Sequence, residues 1–376
     1  MIKRYIFFTI LFFTTSNLVA SNINKLNLPD GFEISIYASD LVLPRQIAQS
    51  EKGYVFVGSK ASKNNEAKII ALIDNNKDGY AEERITVAEG LDFPTGVSIN
   101  NGNLYFSEID KIWVIKNIES WVDRKSVNLP MKHLVTDNLP SETWHGYKYI
   151  DFGPDNNIYV SVGAPCNVCT EPQENDKRFG AIHRYDNGEL ILIAEGVRNS
   201  VGFDWHPVSK KLYFTDNGRD WLGDNSPSCE LNLVNEEGSF YGFPYKHAKN
   251  VIDPEFGALI PSIKKDFVDP IAELGPHVAP LGMVFYDSNK FLKKYENSIF
   301  IALHGSWNRT KKSGYKIIFV KLDEEGNYMY QEDFITGWLE NENAWGRPVS
   351  PFIMNDGSML ISDDKSNVIY RVTYSG

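Results

Sequence analysis

The chain repeats itself. Six times between residues 45 and 372 an alternating apolar strand, a turn built on Gly, Asn, Asp or Lys, and a second strand recur, usually with a third strand behind them. The copies cover 45–73, 96–115, 147–185, 201–215, 282–322 and 349–372. With Gly53, Gly102, Asn157, Lys210, Asn297 and Gly357 as turn anchors, the steps are 49, 55, 53, 87 and 60 residues. Period-two alternation buries one face of a strand, and a repeat of this size with several short strands per unit is the pattern of a β-propeller. Six copies predict an all-β, six-bladed β-propeller with four-stranded blades. Radial repetition also accommodates 376 residues without a second domain, although the chain exceeds the usual size of a single core.

Two irregularities refine the prediction. Residues 238–276 are rich in Pro and Tyr with little alternation, so they read as a rim insertion that lengthens the fourth step. Phe32–Ala38 (FEISIYA) alternates cleanly but precedes the first complete unit, so it is expected to supply a strand to the last blade and close the ring. Helical signal is confined to 118–124 and 289–295.

Residues 1–20 have a separate logic. Lys3 and Arg4 precede an apolar run over 5–13, and Ala20 and Ser21 follow, which is the layout of a secretory signal peptide. The expected product, 21–376, is one propeller domain that is periplasmic or secreted. No segment is long and apolar enough to predict a membrane span. The formal charge of −11 becomes −13 without Lys3 and Arg4, which disfavours nucleic acid and anionic lipid as partners. An anionic ligand therefore requires a local cluster of Arg or Lys.

Cys166 and Cys169, in Cys-Asn-Val-Cys, are expected to close on themselves as a loop-stapling disulfide in an oxidising compartment, leaving Cys229. Thr170 excludes a CxxCH haem site. Residues 74–79 (DNNKDG) begin like a calcium loop, but Ile85 stands where an EF-hand has Glu, so surface calcium and a plain Asx-rich turn both stay open.

Four rim segments carry polar or charged residues that strand packing does not require: 144–146 (WHG), 196–200 (GVRNS), 216–220 (DNGRD), and 304–309 (HGSWNR) with 346–348 (GRP). Equivalent loop ends of a propeller converge around its axis. Arg198, Arg309 and Arg347 meeting there would make an anion site with geometry suited to carboxylates. His145 sits at a strand entrance on the rim, where it could serve as a base, and His277 and His304 flank rim loops that could line a pocket. No HExxH pair, GxSxG elbow or strand–GxGxxG–helix unit is present.

The segments 144–169, GVRNSVGFDWHP, LYFTDNGRDWLGD, HVAPLGM, ALHGSWNR and GRPVSPF together resemble the glucose/sorbosone dehydrogenase family, over about residues 28–374 and in consistent order. The resemblance implies a secreted six-bladed propeller that uses pyrroloquinoline quinone (PQQ), with a sugar as substrate and an electron acceptor that stays unknown. It makes His145 the general base for a sugar's anomeric hydroxyl. It assigns Arg198, Asn199 and Arg347 to the cofactor, with Arg309 by a looser alignment, and the carbonyls of Gly218 and Arg219 to a Ca2+ ion on PQQ. The sorbosone-dehydrogenase-like branch fits best. Trp144 replaces an acidic residue and 94–96 (PTG) a glutamine-containing loop of the glucose enzymes, which counts against glucose. The alternatives are a calcium-dependent propeller lactonase holding its metal with Glu108, Asp216 and Asn217, and a non-catalytic propeller that binds sugar or protein.

Overall fold

The computed structural model describes residues 22–376; the expected signal peptide lies outside them. Its strands form six four-stranded antiparallel blades around one axis. Blade 1 runs through Pro44–Gln49, Val55–Ser59, Lys68–Ile73 and Glu83–Glu89. Blade 2 spans 97–136, blade 3 spans 150–195, blade 4 spans 203–276 and blade 5 spans 280–335. Blade 6 takes three strands from 348–374 and its fourth from Phe32–Ala38.

That last pairing closes the ring as the sequence leads one to expect. Phe32 stands opposite Tyr374, Ile34 opposite Val372 and Ile36 opposite Tyr370. Phe32 also sets its ring edge-on to Phe291, Tyr295 and Phe334, with centroids 4.8 to 5.6 Å apart. Aromatic pairs in this geometry add to the area they bury, so the closing strand is held by packing on blade 5 as well as by its ladder.

The second strand of a blade is covered on both faces by its neighbours. Val55–Ser59, Ile158–Val162, Leu212–Asp216, Ile299–Leu303 and Met359–Asp363 are buried at every position, and their sequences accordingly run apolar rather than alternating. Buried hydroxyls then tie blade to blade: Thr215 Oγ1 donates to Leu281 O at 2.8 Å and Ser362 Oγ to Arg45 O at 2.6 Å. Glycine permits the same approach. A Cβ on Gly202 would lie 2.2 Å from Leu281 O, and one on Gly282 2.6 Å from Ser350 Oγ.

The first strands of all six blades surround a channel of about 170 Å3. Gln46 plugs it, donating to Ile150 O at 2.7 Å and accepting from the amides of Val97 and Ile150. The insertion ends earlier than the sequence suggests: it lies between the third strand of blade 4, Ser228–Leu233, and the fourth, Ala272–Pro276, which pairs with it, so residues 272–276 belong to the blade and not to the insertion. Ser239–Phe240 adds a parallel fifth strand to blade 3, and Lys246–His247 pairs with Val251–Ile252 in a short hairpin. The 74–79 segment is an Asx-rich turn in which Asp74, Asn76 and Asp78 side chains accept backbone N–H groups.

Candidate active site

Where first strands begin and second strands end, five of the six blades converge on a pocket of about 280 Å3. The structure brings His145, Arg198, Asn199, Gly218 and Arg347 together in its lining, and His277 and His304 with them. Blade 2 contributes nothing to this wall. Its 94–96 loop is used between blades: Pro94 O accepts Ser59 N, Thr95 O accepts Gln46 N, and Thr95 Oγ1 donates to Lys148 O.

His145 is held by an unusual backbone. Its φ is +50°, a left-handed conformation that costs a non-glycine residue about 1 kcal/mol or more and recurs at functional sites. Its Nδ1 lies 2.8 Å from Ala164 O. A carbonyl only accepts, so Nδ1 carries the proton and Nε2 keeps its lone pair. Burial, reinforced by the Arg198 charge, pushes the imidazole down to about 3, so the ring is neutral at any ordinary pH. Beneath it runs Gly163, where a Cβ would lie 2.5 Å from His145 Cβ and 2.8 Å from Asn199 Oδ1.

The 196–200 segment is fixed from below. Asp216 accepts the amide of Arg198 at 2.8 Å and of Asn199 at 2.6 Å. Burial outweighs these bonds and the arginine, and its carboxyl is pushed up to about 6. Arg198 itself donates to Asn167 O and Asn167 Oδ1, both at 2.8 Å, to Asn217 O at 3.1 Å and to Asp220 Oδ2 at 3.3 Å. Asn167 is one of the two residues enclosed by the Cys166–Cys169 disulfide, and its Oδ1 also accepts the amide of Asp220 at 2.9 Å. The staple thus orients a side chain that braces the pocket wall, a role the spacing of the cysteines did not disclose. Cys229 is free and buried.

On the opposite wall, Arg347 donates to His304 O at 3.0 Å and Gly305 O at 2.5 Å. His304 Nε2 lies 2.8 Å from Asp364 Oδ1, yet burial outweighs that carboxylate and lowers the ring to about 4. Burial works against the charge of Asp364 as well, but His304, Arg45 and Lys60 hold it well below the usual carboxylate range.

Arg309, assigned to the cofactor through its side chain, is elsewhere, and the side chain of Arg219, whose carbonyl was the assigned group, also points away. Arg309 donates to Asp224 O, Lys311 O and Asn225 Oδ1 and does not line the pocket; the 306–313 loop closes on itself through Ser306 and Ser313 and fixes the guanidinium on the 224–225 turn. Arg219 turns into the insertion, pairing with Asp253 and with Glu255 at 3.1 Å. Its backbone continues the rim loop from Gly218. The lactonase set is not assembled: Glu108, on blade 2, accepts Asp92 N and Trp113 Nε1. Among the described residues no group of three or more His, Cys, Asp or Glu side chains is placed to hold a metal.

Sequence reasoning missed Arg45, Lys60 and Tyr147 in the lining, and Asp364 and Gly163 behind it; Trp307 lay within the 304–309 rim segment but was given no role. The signal was available. Lys60, Gly163, Asn217, His304 and Asp364 each immediately follow the second strand of a copy, so superposing the repeats marks them as one rim position.

Comparison with known proteins agrees with this architecture. A family model described as TrAA12-like matches residues 262–375. The chain is 35% identical over 379 residues to an uncharacterized protein of Borreliella burgdorferi, covering 97% of this chain and 96% of that one. It is 43% identical over 124 residues to a pyrroloquinoline quinone-dependent pyranose dehydrogenase of Coprinopsis cinerea, across 28% of this chain and 16% of the other. The solved structure of a family AA12 carbohydrate-active enzyme of Trichoderma reesei superposes with a TM-score of 0.75 at 20% identity, covering 93% of this chain and 98% of that one, a likeness of fold.

Proposed function

The chain belongs to the glucose/sorbosone dehydrogenase family, and on that premise we propose that it is a PQQ- and calcium-dependent dehydrogenase of an aldose or a sugar-derived aldehyde such as sorbosone, working in the periplasm or outside the cell. One observation carries the reading. Among the described residues, four cationic side chains (Arg45, Lys60, Arg198 and Arg347) and a single carboxylate, Asp220, line a pocket that also holds a neutral histidine with an unprotonated Nε2. In a chain of net charge −11, such a concentration of positive charge suits a tricarboxylate cofactor.

When bound, PQQ supplies the electrophilic carbon that accepts hydrogen with its electron pair. Arg198, Asn199 and Arg347 would hold it, and the carbonyls of Gly218 and Arg219 would hold Ca2+, an ion that takes oxygen ligands of this kind. His145 Nε2 takes the proton of the sugar's anomeric hydroxyl, so that an aldose leaves as lactone. Its low proton affinity keeps it in the base form, and the proton becomes acidic enough only as the carbonyl forms, which couples proton removal to the loss of hydrogen from carbon. Ala164 O keeps the receiving nitrogen aimed into the pocket by fixing the tautomer. Exposed indoles frame the mouth: Trp144, Trp221 and Trp307 are 50%, 62% and 67% exposed, with Trp221 edge-on to Trp307 at 6.4 Å. Such flat apolar faces, beside a few placed polar groups, suit the ring of a sugar.

The test is an absorption titration of the cofactor-free protein with PQQ and Ca2+, followed by a panel of aldoses and sorbosone. Stoichiometric binding and bleaching of the quinone band by a sugar are expected. Absence of binding with calcium present would overturn the assignment.

A further inference from the structure

One charged side chain beside the base lies outside the pocket and has no part in the chemistry above. Lys148 stands three residues after His145 and is 2% exposed, and a lysine is almost never buried so deeply unless it is paired. Its Nζ donates to Gly146 O at 2.7 Å, a backbone carbonyl rather than a carboxylate. Glu142 and Asp110 act on it through their charge, and Asp110 is itself paired with Lys111 at 2.5 Å. The carbonyl that Lys148 holds belongs to the residue immediately after His145. It lies at the end of the turn in which Gly146 N donates to Thr143 O at 3.1 Å and His145 keeps its φ of +50°. That turn has no slack, because a Cβ on Gly146 would lie 2.5 Å from Glu142 O. The backbone of Lys148 is pinned in its turn to the 94–96 loop. Its carbonyl accepts Thr95 Oγ1 at 2.8 Å, and a Cβ on Gly96 would lie 2.9 Å from the same oxygen.

We propose that Lys148 is the positioning residue of the base: anchored to the 94–96 loop, it grips Gly146 O with its ammonium and so holds the strained turn that aims His145 into the pocket. The catalytic consequence rests on the function proposed above, whereas the grip on the turn does not. A left-handed histidine persists only where its surroundings over-determine it. The bond from His145 Nδ1 to Ala164 O fixes the ring but leaves the peptide behind it free to turn. A charge-assisted hydrogen bond is about twice as strong as a neutral one, and Lys148 applies one to that peptide. Burial pushes the ammonium down to about 7, against the charges of Glu142 and Asp110, the two charged groups that act on it. The grip is therefore fully charged below neutrality and weakens as the pH rises through 7. His145 is already neutral across that range, so its own titration cannot produce a change in rate there.

Two readouts on the full mature chain test this, with wild type, Lys148→Met and Lys148→Arg. Methionine fills similar space with no charge to bury, so Lys148→Met is expected to fold, and urea unfolding checks that it does. The first readout needs no cofactor: nitrogen NMR of selectively labelled histidine reports the tautomer and protonation of the His145 ring. In wild type the proton stays on Nδ1 and the ring stays neutral down to about pH 4. In Lys148→Met the relaxed turn lets the ring leave its buried position, so the single tautomer is lost and the proton affinity rises roughly 10-fold or more. The second readout is PQQ-dependent dye reduction at saturating cofactor. There kcat is expected to fall roughly 10- to 100-fold in Lys148→Met with little change in KM. Lys148→Arg, which stays charged, recovers most of the rate and lacks the fall of about 5-fold that wild type shows as the pH rises through 7. A wild-type His145 ring in Lys148→Met would overturn the positioning role whatever the rates. A displaced ring in that variant, with no PQQ-dependent dye reduction by wild type, would uphold the grip on His145 and overturn the dehydrogenase reading instead.

Discussion

Gly163→Ala is the sharpest test of how the pocket is built. Gly163 follows the second strand of blade 3 and passes directly under His145. Its φ is not in the left-handed range, so alanine brings no backbone strain and the effect is purely one of space. The added methyl would sit 2.5 Å from His145 Cβ, 2.8 Å from Asn199 Oδ1 and 2.9 Å from His145 O, where ordinary contacts are 3.4–4 Å. Relief requires His145 to rise by about 1 Å, and its bond to Ala164 O and the turn bond from Gly146 N to Thr143 O resist that movement. Overpacking of this kind costs about 1–3 kcal/mol of stability. A catalytic base displaced by about 1 Å loses on the order of 100-fold in turnover, or about 2.7 kcal/mol of transition-state stabilisation. Urea unfolding measures the first quantity, and PQQ-dependent dye reduction at saturating cofactor measures the second. Wild-type kcat together with wild-type stability would refute the account of the His145 pocket.

The neutral state of His145 predicts that its ring in the cofactor-free protein stays unprotonated down to about pH 4; an NMR titration with a midpoint near 6.5 would contradict the burial assigned to it. The sign for stability follows, because the unfolded chain takes up a proton below about pH 6.5 that the folded histidine refuses. His145, together with His304 at about 4, therefore costs stability as the pH falls from 6.5 toward 4, and denaturation midpoints should drop across that window. Replacing Cys166 and Cys169 by Ser opens a loop of four residues, which chain entropy values at about 2 kcal/mol, and frees Asn167 from Arg198; weaker PQQ binding than in wild type is expected, and unchanged affinity would deny Asn167 its bracing role. A calcium chelator should abolish dye reduction, and Ca2+ should restore it better than Mg2+; full activity after chelation would remove calcium from the reaction.

The blades were readable in advance because a strand with one buried face writes its period into the sequence, and 45–73 or 349–372 do so plainly. The second strands were read as further alternating strands with one buried face, and nothing in that reading showed that neighbours cover them on both sides. Among site residues, His145, Arg198 and Arg347 stood out because Gly-rich, charged rim segments have no packing reason to exist. Arg309 looked equivalent to them. Its segment HGSWNR continues past the strand end into a loop whose closure through Ser306 and Ser313 turns the guanidinium onto Asp224 and Asn225, and nothing local records that turn.

Sequence alone therefore determined the number of repeats, the end of the propeller that carries polar chemistry, and the acidic background against which a cluster of cations has meaning. Tertiary structure decided which cations meet in the pocket and what each of them touches. Lys60 and Asp364 lie 304 positions apart and meet only because the ring closes between blades 6 and 1. Whether an arginine braces a wall or faces a ligand depends on acceptors supplied by other blades, as Asn167 is to Arg198 and His304 O is to Arg347. Such acceptors are set by the radial packing of the blades, and a one-dimensional pattern carries no record of the distance between them.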